Sequence, residues 1–89
     1  MTIYVDNECI PWKGTQWCHL VADSLPELHE FARRLGLRRS WFQEQSVYPH
    51  YDVTVGIRDK ALALGASMGD RSIIITCAKR LKAELYAER

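Results

Sequence analysis

The side chains of this 89-residue chain best equipped for chemistry are its histidines and the carboxylates near them. His19 lies in an apolar stretch four residues before Asp23, and His50 is followed two residues later by Asp52. Imidazole and carboxylate together can pass a proton near neutral pH, activate water or hold a divalent ion. His19, Asp23, His50 and Asp52 therefore form one candidate set, for a small hydrolase or nuclease with or without a metal. Their spacing matches neither H-E-x-x-H nor the other compact metal signatures, so the sequence assigns no metal ligand and no cofactor. His29, between Leu28 and Glu30, reads as a surface or packing residue. Cys18 directly precedes His19, and on a strand the two side chains point to opposite faces, which rules out a thiol–imidazole dyad between them. Cys77 reads as a small buried residue.

A second candidate set suits phosphate. Arg33, Arg34, Arg38 and Arg39 fall within seven residues, followed by Trp41 and Phe42 and later by Tyr48 and Tyr51. Guanidinium forks grip phosphate in pairs of hydrogen bonds and aromatic faces stack on bases, a mixture fitted to a nucleotide. Alternation along a strand would send Arg38 and Arg39 to opposite faces, so only one of them can share a face with Trp41. No G-x-G-x-x-G or P-loop is present.

These residues need elements to position them. Thr2 to Val5 reads as a short strand with Ile3 and Val5 on one side, Cys9 to Gln16 as a loop around Pro11 and Gly14, and Trp17 to Ala22 as a second strand. Ser24-Leu25-Pro26-Glu27 starts a helix: a capping hydroxyl, a proline in the first turn and a glutamate that can reach back. Leu25, Leu28, Phe31, Ala32 and Leu35 form its apolar stripe, and Gly36 ends it. Leu37 to Gln43 reads as a third strand, with turn residues Tyr48 to Asp52 after it. A helix capped by Asp52 or Thr54 and ended by Gly65 comes next, with Ile57, Ala61 and Leu64 inward. Ser72 to Thr76 is a β-branched run, read as a buried strand, and a last helix buries Ala78, Leu81 and Leu85.

The order ββαβαβα predicts an α/β fold: a small, mostly parallel sheet of about four strands flanked by helices, with residues 1–89 as a single domain. In such sheets ligands bind beyond the carboxyl ends of the strands. That rule gathers Asp6, Asp23, Ser24, Trp41 to Gln43, His50 to Asp52 and Thr76 at one edge; with the histidine and arginine sets above, the ligand-binding residues are read as His19, Asp23, Arg38, Arg39, Trp41, Gln43, His50, Tyr51 and Asp52. Hydrophobic residues make up 47% of the chain and charged ones 26%, which excludes a disordered chain. The net charge of +1 hides a split. Residues 1–32 carry one cation against five carboxylates, and residues 33–89 carry eleven cations against six. Three cysteines without C-x-x-C spacing, no basic flank with a long apolar run at the start, and no apolar stretch of membrane length predict a cytoplasmic protein that does not enter a membrane.

Taken together, W-C-H-L-V-A-D at Trp17 to Asp23, L-x-x-F-A-x-x-L-G-L at Leu28 to Leu37, W-F-Q at Trp41 to Gln43, P-H-Y-D at Pro49 to Asp52 and A-L-x-L-G-A at Ala61 to Ala66 resemble a family of small bacterial and phage proteins, domain of unknown function 4031. Tyr4-Val5-Asp6 and Pro11-Trp12 match its opening strand and turn, whereas Ser67 to Thr76 departs from its pattern. The resemblance implies a cytoplasmic single-domain protein, often phage- or mobile-element-borne, and no assigned reaction. It adds Trp17 to the positions of interest.

The leading expectation is a non-enzymatic binding module for a phosphate- or nucleotide-containing small molecule, one that in a phage would sequester a host signal. His19, His50 and Gln43 would hydrogen-bond the ligand, Arg38 or Arg39 would meet its charge, and Trp41 or Tyr51 would stack. The alternatives are the His/Asp hydrolase above and a protein–protein adaptor inhibiting a host enzyme. A homodimer is a natural supplement for so short a chain, and direct nucleic-acid binding ranks last.

Overall fold

The computed structural model describes residues 2–87. Five strands and three helices follow the order β1 (Ile3–Val5), β2 (Ile10–Trp12), β3 (Thr15–Ala22), α1 (Leu25–Arg34), β4 (Tyr51–Thr54), α2 (Val55–Ala63), β5 (Ser67–Met68) and α3 (Arg71–Ala87). The sheet is mixed and mostly antiparallel, with β3 at its centre. β1 and β2 pair antiparallel with β3, β4 pairs antiparallel with β3 through Trp17↔Thr54 to Leu20↔Tyr51, and only β5 runs parallel, beside β1. The expectation of a mostly parallel four-stranded sheet is thereby corrected.

The physical reason lies in Cys9 to Gln16. This segment is a hairpin and not an irregular loop: Trp12 pairs with Thr15 around Lys13 and Gly14, whose φ angles are 50° and 78°. Two successive positive φ values mark the tight turn whose twist suits antiparallel strands. Between the pairs Val5↔Leu20 and Ile10↔Trp17, residues 6–9 stand opposite only residues 18–19, so the edge formed by β1 and β2 carries a bulge. Cys9 within it has φ 51°.

α1 starts and stops as its sequence dictates. The Ser24 hydroxyl accepts from the Glu27 N–H, and past Leu35 the N–H groups of Gly36 and Leu37 return to the carbonyls of Arg33 and Ala32, with Gly36 at φ 84°. That closing motif redirects the chain, and Leu37 to Gln43 does not form a strand. Arg38, Arg39, Ser40 and Trp41 are all exposed, a run that no two-faced strand gives, and Arg39–Trp41 makes a single 3₁₀ turn that drops Phe42 into the core. The fourth strand is supplied instead by Tyr51–Thr54, within what reads as turn residues, and the Thr54 hydroxyl then caps α2.

Ser72 to Thr76 is helical, not a strand. The Asp70 carboxylate accepts from the Ile73 N–H at 2.9 Å and caps α3, whose buried residues Ile74, Cys77, Ala78, Leu81 and Leu85 recur at helical spacing. Burial of that stripe outweighs the modest helix penalty of β-branched residues. Alternation along β3 sends Cys18, Leu20 and Ala22 to one face and Trp17, His19 and Val21 to the other. On the first face α1 packs over Leu20 and Tyr51, where His29 Nδ1 meets the Tyr51 hydroxyl at 2.9 Å. α3 packs on the second face but covers only part of it: Val21 is fully buried, while Trp17 and His19 remain half-exposed. No helix of the described residues is long and apolar enough to cross a membrane.

Candidate functional site

The uncovered part of that second face carries the chemistry. Register places Asp52 of β4 directly across from His19 of β3. His50, two residues before Asp52, reaches the same face, because side chains two apart on an extended chain share a side. The His19 and His50 rings meet edge-on with centroids 4.9 Å apart, and His50 Nε2 lies 3.1 Å from Asp52 Oδ1. One donor atom from each of His19, His50 and Asp52 falls within 4.8 Å of the others.

Asp6 completes the arrangement, and the bulge puts it there. Its backbone N–H still donates to the His19 carbonyl, while its side chain replaces a ladder carbonyl: Oδ1 accepts the His19 N–H at 2.8 Å and Oδ2 sits 2.5 Å from His19 Nδ1. Asp6 is 5% exposed, the one buried charged residue of the described chain. Burial alone would raise the Asp6 pKa, but its hydrogen bonds with His19 prevail and hold it below the ordinary carboxylate value. The same bond to Asp6 raises the His19 pKa against the opposing effect of burial, with help from the charges of Asp6, Asp52 and Glu8.

Both imidazoles are thus oriented by an acceptor at Nδ1: the Asp6 carboxylate for His19 and, at 2.5 Å, the Tyr48 carbonyl for His50. In each neutral ring the proton belongs on Nδ1 and the lone pair on Nε2. The two Nε2 atoms and Asp52 are then three ligands whose outer partners are already in place, the pattern that carboxylate- or carbonyl-anchored histidines show around metal ions. Two imidazoles and a carboxylate suit a first-row divalent ion. Ligands around such an ion stand about 3.4 Å apart, so side-chain rotations of about an ångström close the set. His50 adds a further sign: acceptors face both of its ring nitrogens, yet a neutral imidazole has one N–H.

Two clefts meet at this cluster, sharing Ile10 and His19. The larger, of about 580 Å³, is walled by Trp12, Trp17, Trp41 and Ile57, with Gln43 and Thr54 among its few polar groups. The smaller, of about 230 Å³, runs under α3 and holds Glu8, Ser46, Tyr48 and Arg71.

The residues selected from sequence divide accordingly. His19, His50 and Asp52 come together, and Trp41 and Gln43 line the larger cleft. Asp23 does not join them: one residue past β3 and about 13 Å along the chain from His19, it pairs with Arg80 at 3.2 Å and accepts from the Cys77 thiol. Arg38 and Arg39 line neither cleft and lie over the rings of Trp41 and Phe42. Tyr51 is 1% exposed on the opposite face, its hydroxyl on His29, and cannot stack on a ligand. Asp6 falls at the strand-end edge in the sequence reading but not among its ligand-binding residues, and Trp12 and Arg71 are not in that set either. The alternation of His50 and Asp52 about an inward Tyr51 was the available signal for a strand here; nothing local announces the bulge that turns Asp6 to His19.

What fold and site define is a small mixed α/β protein with a His–His–Asp cluster on an open sheet face, backed by a buried aspartate. The chain belongs to the family described as "Protein of unknown function (DUF4031)", whose model matches residues 3–81. No curated protein and no solved structure matches it.

Proposed function

We propose that the chain is a small hydrolase dependent on a divalent metal ion, held by His19 Nε2, His50 Nε2 and Asp52. The observation that carries this reading is the convergence of His19, His50 and Asp52: one ligand atom of each lies within 4.8 Å of the others, and an acceptor already stands at each Nδ1. Three protein ligands leave coordination positions for water and substrate, and an ion of this type lowers the pKa of bound water to about 7. Held by His19, His50 and Asp52, such an ion would activate bound water for attack on a carbon or phosphorus centre, with the leaving group taking up the proton that the water loses. A cleft of about 580 Å³ beside the cluster is of the size that holds small molecules.

The test is calorimetric titration of the chelator-treated full chain with Zn²⁺ and with Mn²⁺. One ion per chain is expected, with affinity reduced at least a hundredfold in His50→Gln and in Asp52→Asn. Release of product from ester and phosphoester substrates should follow the bound metal. Absence of binding, or binding unchanged in both variants, refutes the assignment.

A further inference from the structure

The two clefts differ in chemistry in a way that specifies what the cluster acts on. The larger has no Lys or Arg in its lining; its walls are tryptophan and aliphatic side chains. Trp12 is 60% exposed and Trp41 50%, with Ile10 44% exposed beside them, so a sizeable apolar surface is left open at this mouth. The Gln43 side chain makes no hydrogen bond among the described residues and offers both donor and acceptor to the edge of a ring. The smaller cleft is polar at its mouth: Arg71 has no ion-pair partner among the described residues, and the Ser46 and Tyr48 hydroxyls stand in the same wall. The His–His–Asp cluster lies where the two clefts meet.

Charge decides the order of events. The two clefts are lined by the carboxylates of Asp6, Glu8 and Asp52 and by one guanidinium, Arg71, a formal −2 with both imidazoles neutral. Such a site repels phosphate. A divalent ion would bring the sum to zero and offer a phosphoryl oxygen a ligand position, with Arg71 in the lining of the smaller cleft to meet the remaining charge.

Resting on the metal-centre reading above, we infer that the ligand is a nucleoside monophosphate, its base stacked among the tryptophans of the larger cleft and its phosphate bridging the metal ion and Arg71. Metal must bind first. Base–aromatic stacking is worth about 1–3 kcal/mol, so loss of a tryptophan wall weakens a ring-bearing ligand by roughly five- to a hundredfold.

The experiment uses the full chain, with tryptophan fluorescence and calorimetry as readouts. The probes are AMP, GMP, CMP and UMP, with adenosine and ribose 5-phosphate as half-ligands, each in Mn²⁺ and in EDTA. At least one monophosphate is expected to bind in Mn²⁺, ten times or more tighter than either half-ligand, and to lose its binding in EDTA. Trp41→Ala should weaken the monophosphate five- to a hundredfold and leave ribose 5-phosphate unchanged, and Arg71→Ala should weaken both phosphates; neither should alter Mn²⁺ affinity. If Mn²⁺ binds but no monophosphate does, or ribose 5-phosphate binds as tightly as the monophosphate, the ligand assignment is overturned while the metal centre stands. Equal binding in EDTA overturns the metal bridge. If Mn²⁺ itself does not bind, the underlying reading falls.

Discussion

Replacing Asp6 by Asn tests the pair on which the site is built. The carboxylate receives the His19 ring at 2.5 Å and the His19 N–H at 2.8 Å in a setting where its own side chain is nearly buried. An amide keeps one acceptor oxygen but loses the charge and turns an NH₂ toward the second donor. A hydrogen bond to a charged group contributes about 1.5–3 kcal/mol. With His19 a quarter exposed the lower part of that range applies, so about 2 kcal/mol is expected, a fall in Tm of about 8–16 °C for a domain of this size. The pH dependence follows from the two shifts. The Asp6 pKa is lowered, so its contribution is present above about 3.8 and disappears as pH falls through the lowered value; the His19 pKa is raised, so its contribution is present below about 6.5 and declines as pH rises through the raised value. The deficit of the variant should be full between those limits. As pH rises through the raised His19 value it should shrink without vanishing, because a neutral His19 still donates Nδ1–H to a carboxylate. Thermal denaturation of both proteins in EDTA at pH 5.5 and pH 9 provides the comparison. An equal deficit at the two pH values, or none at pH 5.5, refutes the reasoning.

Leu81→Ala should cost about 2–5 kcal/mol, since Leu81 is fully buried on the inner face of α3, and the urea midpoint measures it. Gly14→Ala should cost about 1–2 kcal/mol despite open space around the position, because φ there is +78°; the same denaturation assay reports it. Thiol titration should find one group reacting quickly in the native protein and three in denaturant, because Cys18 and Cys77 are buried and burial raises both their pKa values, while Cys9 is half-exposed.

Local chemistry made α1 legible, because its cap, stripe and terminal glycine all lie within thirteen residues and agree. β1 was legible from an apolar pattern at period two, and the second half of β3 from a continuous apolar run, Leu20-Val21-Ala22, buried throughout. Ser72 to Thr76 was not. The residues that decide its state are Asp70, which caps it, and Leu81 and Leu85, which extend its stripe beyond the β-branched run. Leu37 to Gln43 misled in the opposite sense: it reads as a strand entered directly from α1, but the helix-closing motif at Gly36 and Leu37 commits the chain to a different direction. The sheet's direction turned on Lys13-Gly14. Glycine announces a turn there, but only positive φ at Lys13 makes it the tight hairpin, and lysine does not advertise that conformation.

The candidate site was legible as a set of residue types and not as a geometry. His19 and Asp23, four residues apart on one extended segment, share a face by alternation, yet α3 lies over the Asp23 end and engages that carboxylate with Arg80. Asp52 takes its place through a register that joins residues 33 positions apart, and Asp6 enters because four residues must be accommodated opposite two. That extra length has a structural cost, an interrupted ladder and a non-glycine residue at φ 51°, and the core does not need it: Val5 and Leu20 would pair as well on an unbroken edge. What the interruption does achieve is a buried carboxylate set against the inner nitrogen of one histidine. The bulge and the uncovered face bear on the same residue: one sets the Asp6 carboxylate against His19 Nδ1, and the other leaves the His19 ring in the lining of both clefts.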